Sequence, residues 1–292
     1  MDEERGFNPP LGLLYIASYA KNKLKDRIDI KIIDAMVEEL SYDQLKSRIS
    51  EINPDIIGMT AMTMTLIDVV NTLKIIREVS KDIRIVLGGP HPTIFPEETI
   101  ALREADYLIT GEGELAFTEL LEALLDKKDL SKIKGLYYKD SFGKILKGEK
   151  NYFIDKLDSL PFPDRCNVPY ERYSSLIAKR SPITTIFTSR GCPFGCSFCD
   201  RPHMGRSFRA RSARNVVDEI EDCLNLGIKE FLFYDDTFTV NKERVHEICS
   251  EIKKRKLDIG WDIRARVDTI DEELIIALKS ANCERIHYGV EA

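Results

Sequence analysis

The sequence predicts an α/β protein built as two units in series. An open parallel sheet with helices on both faces comes first, and a second strand-helix series shaped as part of a barrel follows. Three observations carry this. Short apolar strands alternate with helix-period segments along most of the chain. Glycine-bearing loops, Gly88-Gly89-Pro90-His91 and Gly111-Glu112-Gly113-Glu114, follow strands, where open α/β sheets bind ligands. A proline-rich stretch over 150–182, with Pro161, Pro163, Pro169 and Pro182, interrupts the alternation before it resumes.

The elements follow in order. Residues 10–25 have helical spacing, 29–34 (DIKIID) reads as a short strand, and 41–52 as a helix. Residues 55–60 (DIIGMT) form a buried-type strand and 66–80 a helix. Strand 83–87 runs into the GGPHPT loop, helix 96–103 follows, and strand 106–109 ends in GEGE. Residues 134–148 read as a hairpin closing the first unit, and 150–182 as the linker. The second series has strand 184–188, helix 213–226 with Ser212 as N-cap and Gly227 past its end, and strand 230–234. It continues with helix 242–256 capped by Asn241, strand 259–267, helix 271–281 and strand 285–290. A closed eight-unit barrel needs about 250 residues, so the second series reads as the N-terminal part of one. The first unit opens on a helix where a leading strand is expected, so the chain reads as a fragment of a longer enzyme, inactive alone.

Bulk composition narrows the classes. Of 292 residues, 43% are hydrophobic and 32% charged, an ordinary globular balance. A net charge of -6 makes nucleic acid an unfavoured partner, and no apolar run is long enough to span a bilayer. Seven cysteines, odd in number and sparse, point away from a disulfide framework and towards a reducing cytoplasm.

Three of those cysteines fall within SRGCPFGCSFCD: Cys192, Cys196 and Cys199, spaced C-x3-C-x2-C. Thiolates select zinc, copper(I) or iron–sulfur clusters. A structural zinc site is a closed set of four, and no fourth cysteine stands at ligand spacing here. Three thiolates on one tight loop suit a cubane with three irons held by protein and one left open. A structural zinc site remains the other reading. Cys223 and Cys249 fall on apolar helix faces and read as buried thiols.

C-x3-C-x2-C with an aromatic before its last cysteine, in a loop after the first strand of a β/α series, resembles the radical S-adenosylmethionine (SAM) superfamily. The resemblance covers 182–292 and implies part of a TIM-type barrel, the radical SAM core. It implies a [4Fe-4S] cluster on Cys192, Cys196 and Cys199, with SAM chelated at the open iron and cleaved reductively to a 5′-deoxyadenosyl radical. It also implies that Phe198 packs near the adenine, that Asp235 and Asp236 hold the SAM amino group, and that Glu291 contacts the ribose. In WDIRARVD, alternation puts Asp262, Arg264 and Arg266 on one face, and a polar inward face suits a charged cofactor. Arg264 and Arg266 are thereby SAM candidates. Arg209 and Arg211 either line the cluster pocket, meet an anionic substrate or lie on a solvated loop.

The run NPPLGLLYIASYA, PDIIGMTAMT, VLGGPHPT and ADYLITGEGE resembles the cobalamin-binding, Rossmann-like domain that precedes many radical SAM cores. The first domain would span 1–133, with 134–181 as hairpin and linker. By this resemblance Thr60 and Met62 sit beside the nucleotide tail, Gly88 and Gly89 allow close backbone approach to the corrin, and Gly111 and Glu112 form the rim. The D-x-H-x-x-G motif that supplies a cobalt-ligating histidine in methionine-synthase-like domains is absent, and NPPLG stands in its place. His91 lies in another loop and reads as a loop or rim histidine. Cobalamin is therefore expected to receive no protein imidazole.

Together these resemblances imply a cobalamin-dependent radical SAM enzyme that methylates or oxidatively cyclises an unactivated carbon of a small biosynthetic intermediate, with a flavodoxin or ferredoxin as reductant. The rival readings are a radical SAM enzyme whose first domain no longer binds cobalamin, and a non-catalytic zinc module.

Overall fold

A computed structural model describes residues 6–151, 153–199 and 205–290. The chain divides into two compact units, residues 15–154 and residues 6–14 with 155–290.

The first unit holds a five-stranded sheet. Its strands are β1 (Ile56–Thr60), β2 (Arg84–Gly88), β3 (Tyr107–Ile109), β4 (Leu136–Lys139) and β5 (Ile145–Lys147), in that order across the sheet. The β1–β2 and β2–β3 pairs are parallel, while β4 and β5 add antiparallel. The expected hairpin thus extends the sheet. Helix α1 (Leu11–Leu24) crosses the boundary between the units, and α2 (Tyr42–Ile52), α3 (Leu66–Val79) and α6 (Gly113–Asp126) lie within the first. Ser41 starts α2 by a capping box with Gln44, and Asn53 ends it in the left-handed conformation, φ 46°. One core joins Leu73 and Ile76 of α3 to Ile85 and Leu87 of β2. Another joins Leu120 and Ala123 of α6 to Val86 and Ile109.

Two expectations are corrected here. Residues 29–34 form no ladder: Ile28 and Ile30 pack against Ala20, Leu24 and Leu121, but β1 is the edge strand and 29–34 does not pair with it. An apolar alternation supplies packing, whereas a strand also needs a partner backbone. The GGPHPT loop and helix 96–103 are replaced by two short helices, α4 (Pro90–Ile94) and α5 (Pro96–Ile100). Proline occupies the first position of each, where its fixed φ starts a turn. Phe95, the residue before the second proline, leaves the helical region at φ -123° and separates them.

The second unit holds a four-stranded, all-parallel sheet ordered β11 (Cys283–Gly289), β10 (Gly260–Arg266), β9 (Glu230–Phe233), β6 (Ile183–Ile186). Helices α7 (Ala213–Asn225), α8 (Lys242–Lys254) and α9 (Glu272–Ser280) connect its strands. Their N-caps are Ser212, Asn241 and Asp271, each accepting from the third residue on. The core between helices and sheet centres on Trp261, whose ring lies 4.9 Å from that of Phe233 and 5.9 Å from that of Phe238. Its indole N–H donates to Ala281 O at 2.7 Å.

The expected linker is bound into this unit from residue 155 on. Arg165 is buried and donates to Thr184 Oγ1, Thr185 O, Pro163 O and Glu219. Residues 6–14 belong here as well. Phe7 bridges Ser174, and Asn8 Nδ2 donates to the Tyr234 hydroxyl at 2.9 Å.

Candidate functional site

Alternation along β9 and β10 decides which side chains reach the working face of the second sheet. Phe231, Phe233 and Ile263 enter the helix-side core. Leu232, Tyr234, Asp262, Arg264 and Arg266 line a cavity of about 610 Å³ on the other side. β11 adds His287 and Gly289, and the loop after β6 closes the cavity with Cys192, Phe194, Cys196, Phe198 and Cys199.

That loop is shaped by a short antiparallel pair, β7 (Ser189–Arg190) with β8 (Arg209–Ala210). Gly191 turns it at φ 80°, and Cys192 N donates to Gly205 O at 3.3 Å. Cys199 N donates to Cys196 O at 3.3 Å, so the second and third cysteines share one turn. The Cys192 thiol faces Thr237 Oγ1 at 3.9 Å, and Arg266 Nη1 donates to Cys196 Sγ at 3.2 Å.

All three expected ligands therefore border one cavity. Among the described residues, no three Cys, His, Asp or Glu side chains converge on a point where one ion would sit. Three cysteines around one cavity, two of them on one turn, suit a cluster held by three thiolates. The other thiols are unlike these. Burial pushes Cys223, Cys249 and Cys283 each up to about 12, which keeps them protonated and inert. Cys166 is exposed.

The SAM candidates separate. Phe198, Asp236 and Arg264 line the cavity, with the Arg264 guanidinium 4.1 Å from the centre of the Tyr234 ring. Asp235 does not reach the cavity. It is fully buried and accepts from Thr188 N at 2.6 Å and from the hydroxyls of Thr188 and Ser189. Asp235 and Asp236 lie just past the end of β9 and look equivalent in sequence, but hydrogen bonds from Thr188 and Ser189 hold Asp235 inward, where it anchors the start of the cysteine loop. Arg266 faces Cys196. Glu291 lies outside the described residues. Arg209 and Arg211 are buried, not solvated: Arg211 donates to Phe187 O at 3.0 Å and to the Glu219 carboxylate. Tyr234, Thr237 and His287 border the cavity without having been singled out. The alternation that placed Arg264 extends to Tyr234, whereas Ser175 and Ile177 come from the irregular stretch and carry no sequence signal.

In the first unit, three loops meet at the carboxyl end of the sheet. Ala61 N donates to Gly88 O at 2.8 Å, His91 N to Ala61 O at 3.1 Å, and Gly111 N to Thr93 Oγ1 at 2.8 Å. Thr60, Met62, Gly88, Gly89 and Gly111 are thus gathered. Gly89 has φ 104°, and a Cβ there would stand 2.7 Å from Thr60 Oγ1, so the turn needs glycine. Gly88 has open space, its nearest contact being Ile109 O at 3.9 Å. Gly111 has φ 72°, where side chains are strained, and a Cβ there would also displace the Asn151 amide. Glu112 is buried and accepts from Ile154 N at 2.6 Å, which ties it to the segment leaving β5. His91 is buried, not at a rim: the residue is 3% exposed, Nδ1 lies 3.1 Å from Thr63 Oγ1, and Nε2 has no partner among the described residues. An orphaned buried nitrogen beside a glycine cradle fits a site that a polar cofactor completes. Asn8, in the NPPLG stretch, is engaged with Tyr234 in the second unit.

Two stretches of the chain match known families. Residues 3–121 match the B12 binding domain family and residues 186–292 the radical SAM superfamily. An uncharacterized methyltransferase of Pyrococcus horikoshii is 37% identical over 97% of this chain and 61% of its own length. The anaerobic magnesium-protoporphyrin IX monomethyl ester cyclase of Rubrivivax gelatinosus is 34% identical over 97% and 52%. The chain thus spans about half to three-fifths of these relatives. The structure of the cobalamin-dependent SAM radical enzyme OxsB, with aqua-cobalamin and SAM bound, superposes with a TM-score of 0.83 at 24% identity, covering 98% of this chain and 42% of that one. No helix among the described residues is long and apolar enough to cross a membrane.

Proposed function

Because the chain belongs to the radical SAM superfamily, in the group whose barrel follows a B12-binding domain, we propose that it serves a cobalamin-dependent radical SAM enzyme acting on an unactivated carbon of a small biosynthetic intermediate. C-methylation and oxidative cyclisation are the two outcomes this reading allows, and a flavodoxin or ferredoxin is the expected reductant. The observation that carries it is the meeting of Cys192, Cys196 and Cys199 with Phe198, Asp236 and Arg264 around one cavity. When bound, the cluster supplies the electron for SAM cleavage, and cobalamin can carry a methyl group.

The chain's own residues bind and orient. Cys192, Cys196 and Cys199 would hold the cluster. Asp236 is exposed to the cavity and suits the SAM ammonium, while Arg264, stacked on Tyr234, suits a carboxylate. Phe198, 68% exposed, offers an apolar face to the adenine. Thr60, Met62, Gly88 and Gly89 in the first unit would meet cobalamin. Glu291 remains the ribose candidate.

Anaerobic reconstitution tests this reading. About four irons per chain and absorbance near 400 nm are expected, and release of 5′-deoxyadenosine from SAM is expected of the longer enzyme. Cys196→Ala should abolish the chromophore, while Cys223→Ala and Cys249→Ala keep it. A zinc-loaded, colourless protein, or full iron and sulfide in Cys196→Ala, would overturn it.

A further inference from the structure

Arg266 faces the cysteine loop in a way that its place on β10 does not require. Its Nη1 donates to Cys196 Sγ at 3.2 Å, while Nε and Nη2 fork onto the Asp268 carboxylate at 2.9 and 2.7 Å. The guanidinium carbon lies 4.2 Å from the centre of the Phe194 ring, an aromatic inside the C-x3-C segment itself. A long, rotamer-rich side chain is thus fixed on three sides: by a carboxylate behind, an aromatic face beside and a sulfur in front. Such pinning costs entropy, and one exposed fork with Asp268 would not need the stack or the sulfur contact. Asp268 in turn favours the charged form of Arg266, and a guanidinium keeps its charge at every working pH.

We infer that Arg266 is a positioning residue that sets the reduction potential of the cluster by donating a charge-assisted hydrogen bond to the Cys196 sulfur. The inference rests on the reading of Cys196 as a cluster ligand and goes beyond it. A positive N–H aimed at a ligand sulfur stabilises the extra negative charge of the reduced state, so it raises the potential. Phe194 and Asp268 keep that donor aimed, and the aromatic couples its position to the fold of the cysteine loop. This assigns Arg266 to the cluster side of the cavity, leaving Arg264 as the guanidinium available to an anionic ligand.

The test is an electron-paramagnetic-resonance-monitored redox titration of the reconstituted full chain, without SAM, comparing the unaltered protein with Arg266→Gln and Arg266→Lys. The expected result is an unchanged iron content with the midpoint moved to more negative potential, furthest in Arg266→Gln and part-way in Arg266→Lys, which keeps a charge but loses the fork. SAM affinity, measured separately by equilibrium dialysis of the oxidised protein, should change less than about threefold. A SAM-free midpoint equal to that of the unaltered protein in both variants overturns the inference. So does an unchanged midpoint accompanied by a large loss of SAM affinity, which would make Arg266 a SAM contact. If Arg266→Gln does not assemble a cluster, Arg266→Lys carries the comparison under the same criteria. Failure of the underlying reading is separate: it shows as iron retained in Cys196→Ala, whatever Arg266 does.

Discussion

Glu219 of α7 is fully buried and is flanked by two buried arginines, Arg165 at 2.6 Å from Oε1 and Arg211 on Oε2. Replacing it with glutamine keeps the volume and removes the negative charge that the two arginines share. Each arginine retains other acceptors, Thr185 O and Pro163 O for Arg165, Phe187 O and Asn215 O for Arg211, so the hydrogen bonds are largely kept and the charge balance is not. Breaking a buried ion pair by removing one partner costs about 3–5 kcal/mol. At a urea slope of about 2 kcal/mol per M this moves the midpoint down by roughly 2 M. The chain's single tryptophan, Trp261, sits fully buried in the core of the same unit, so its fluorescence reports the unfolding of that unit. The pH dependence follows from sign. Burial works to raise the Glu219 carboxyl, but Arg211 and Arg165 outweigh it and hold the group below its ordinary 4.5. Its contribution is therefore present above about 4.5 and lost as pH falls through the lower folded value. The gap between the two proteins should close on the acid side. A loss under about 1 kcal/mol at pH 7, or a gap independent of pH down to unfolding, would refute the argument.

Three further outcomes are expected. Asp235→Asn leaves the buried donors Thr188 N, Thr188 Oγ1 and Ser189 Oγ without a full set of acceptors. It should cost about 2–3 kcal/mol and reduce cluster incorporation, whereas Asp236→Asn should weaken SAM binding at unchanged Trp261 unfolding. Iodoacetamide at pH 8 on the cluster-free native protein should modify Cys166, Cys192, Cys196 and Cys199 and spare Cys223, Cys249 and Cys283, whose thiols burial pushes up to about 12. Peptide mapping reads this directly, and rapid labelling of Cys223 in the native state would contradict the burial.

Much of the architecture was legible because periodicity and capping are local. Ser212 and Asn241 cap helices as their neighbours imply, and alternation in β10 sends Asp262, Arg264 and Arg266 to one face. Segment 29–34 misled for the complementary reason: its apolar pattern is real, but a ladder depends on a partner elsewhere in the chain. The proline-rich stretch hid Arg165, since nothing near residue 165 announces a buried carboxylate 54 positions away.

Residue order by itself determined the two α/β units and the three thiols at cluster spacing, because strand, helix and turn preferences and a tight metal loop act over a few residues. The tertiary structure alone decided which of two adjacent acids turns inward and which meets the cavity. It alone decided that His91 is buried with an orphan nitrogen, and that Arg266 points at Cys196 across 70 positions of chain. Burial and hydrogen-bond partners arise where distant segments pack, and a side chain's charge is put to use by whatever stands within about 3 Å of it.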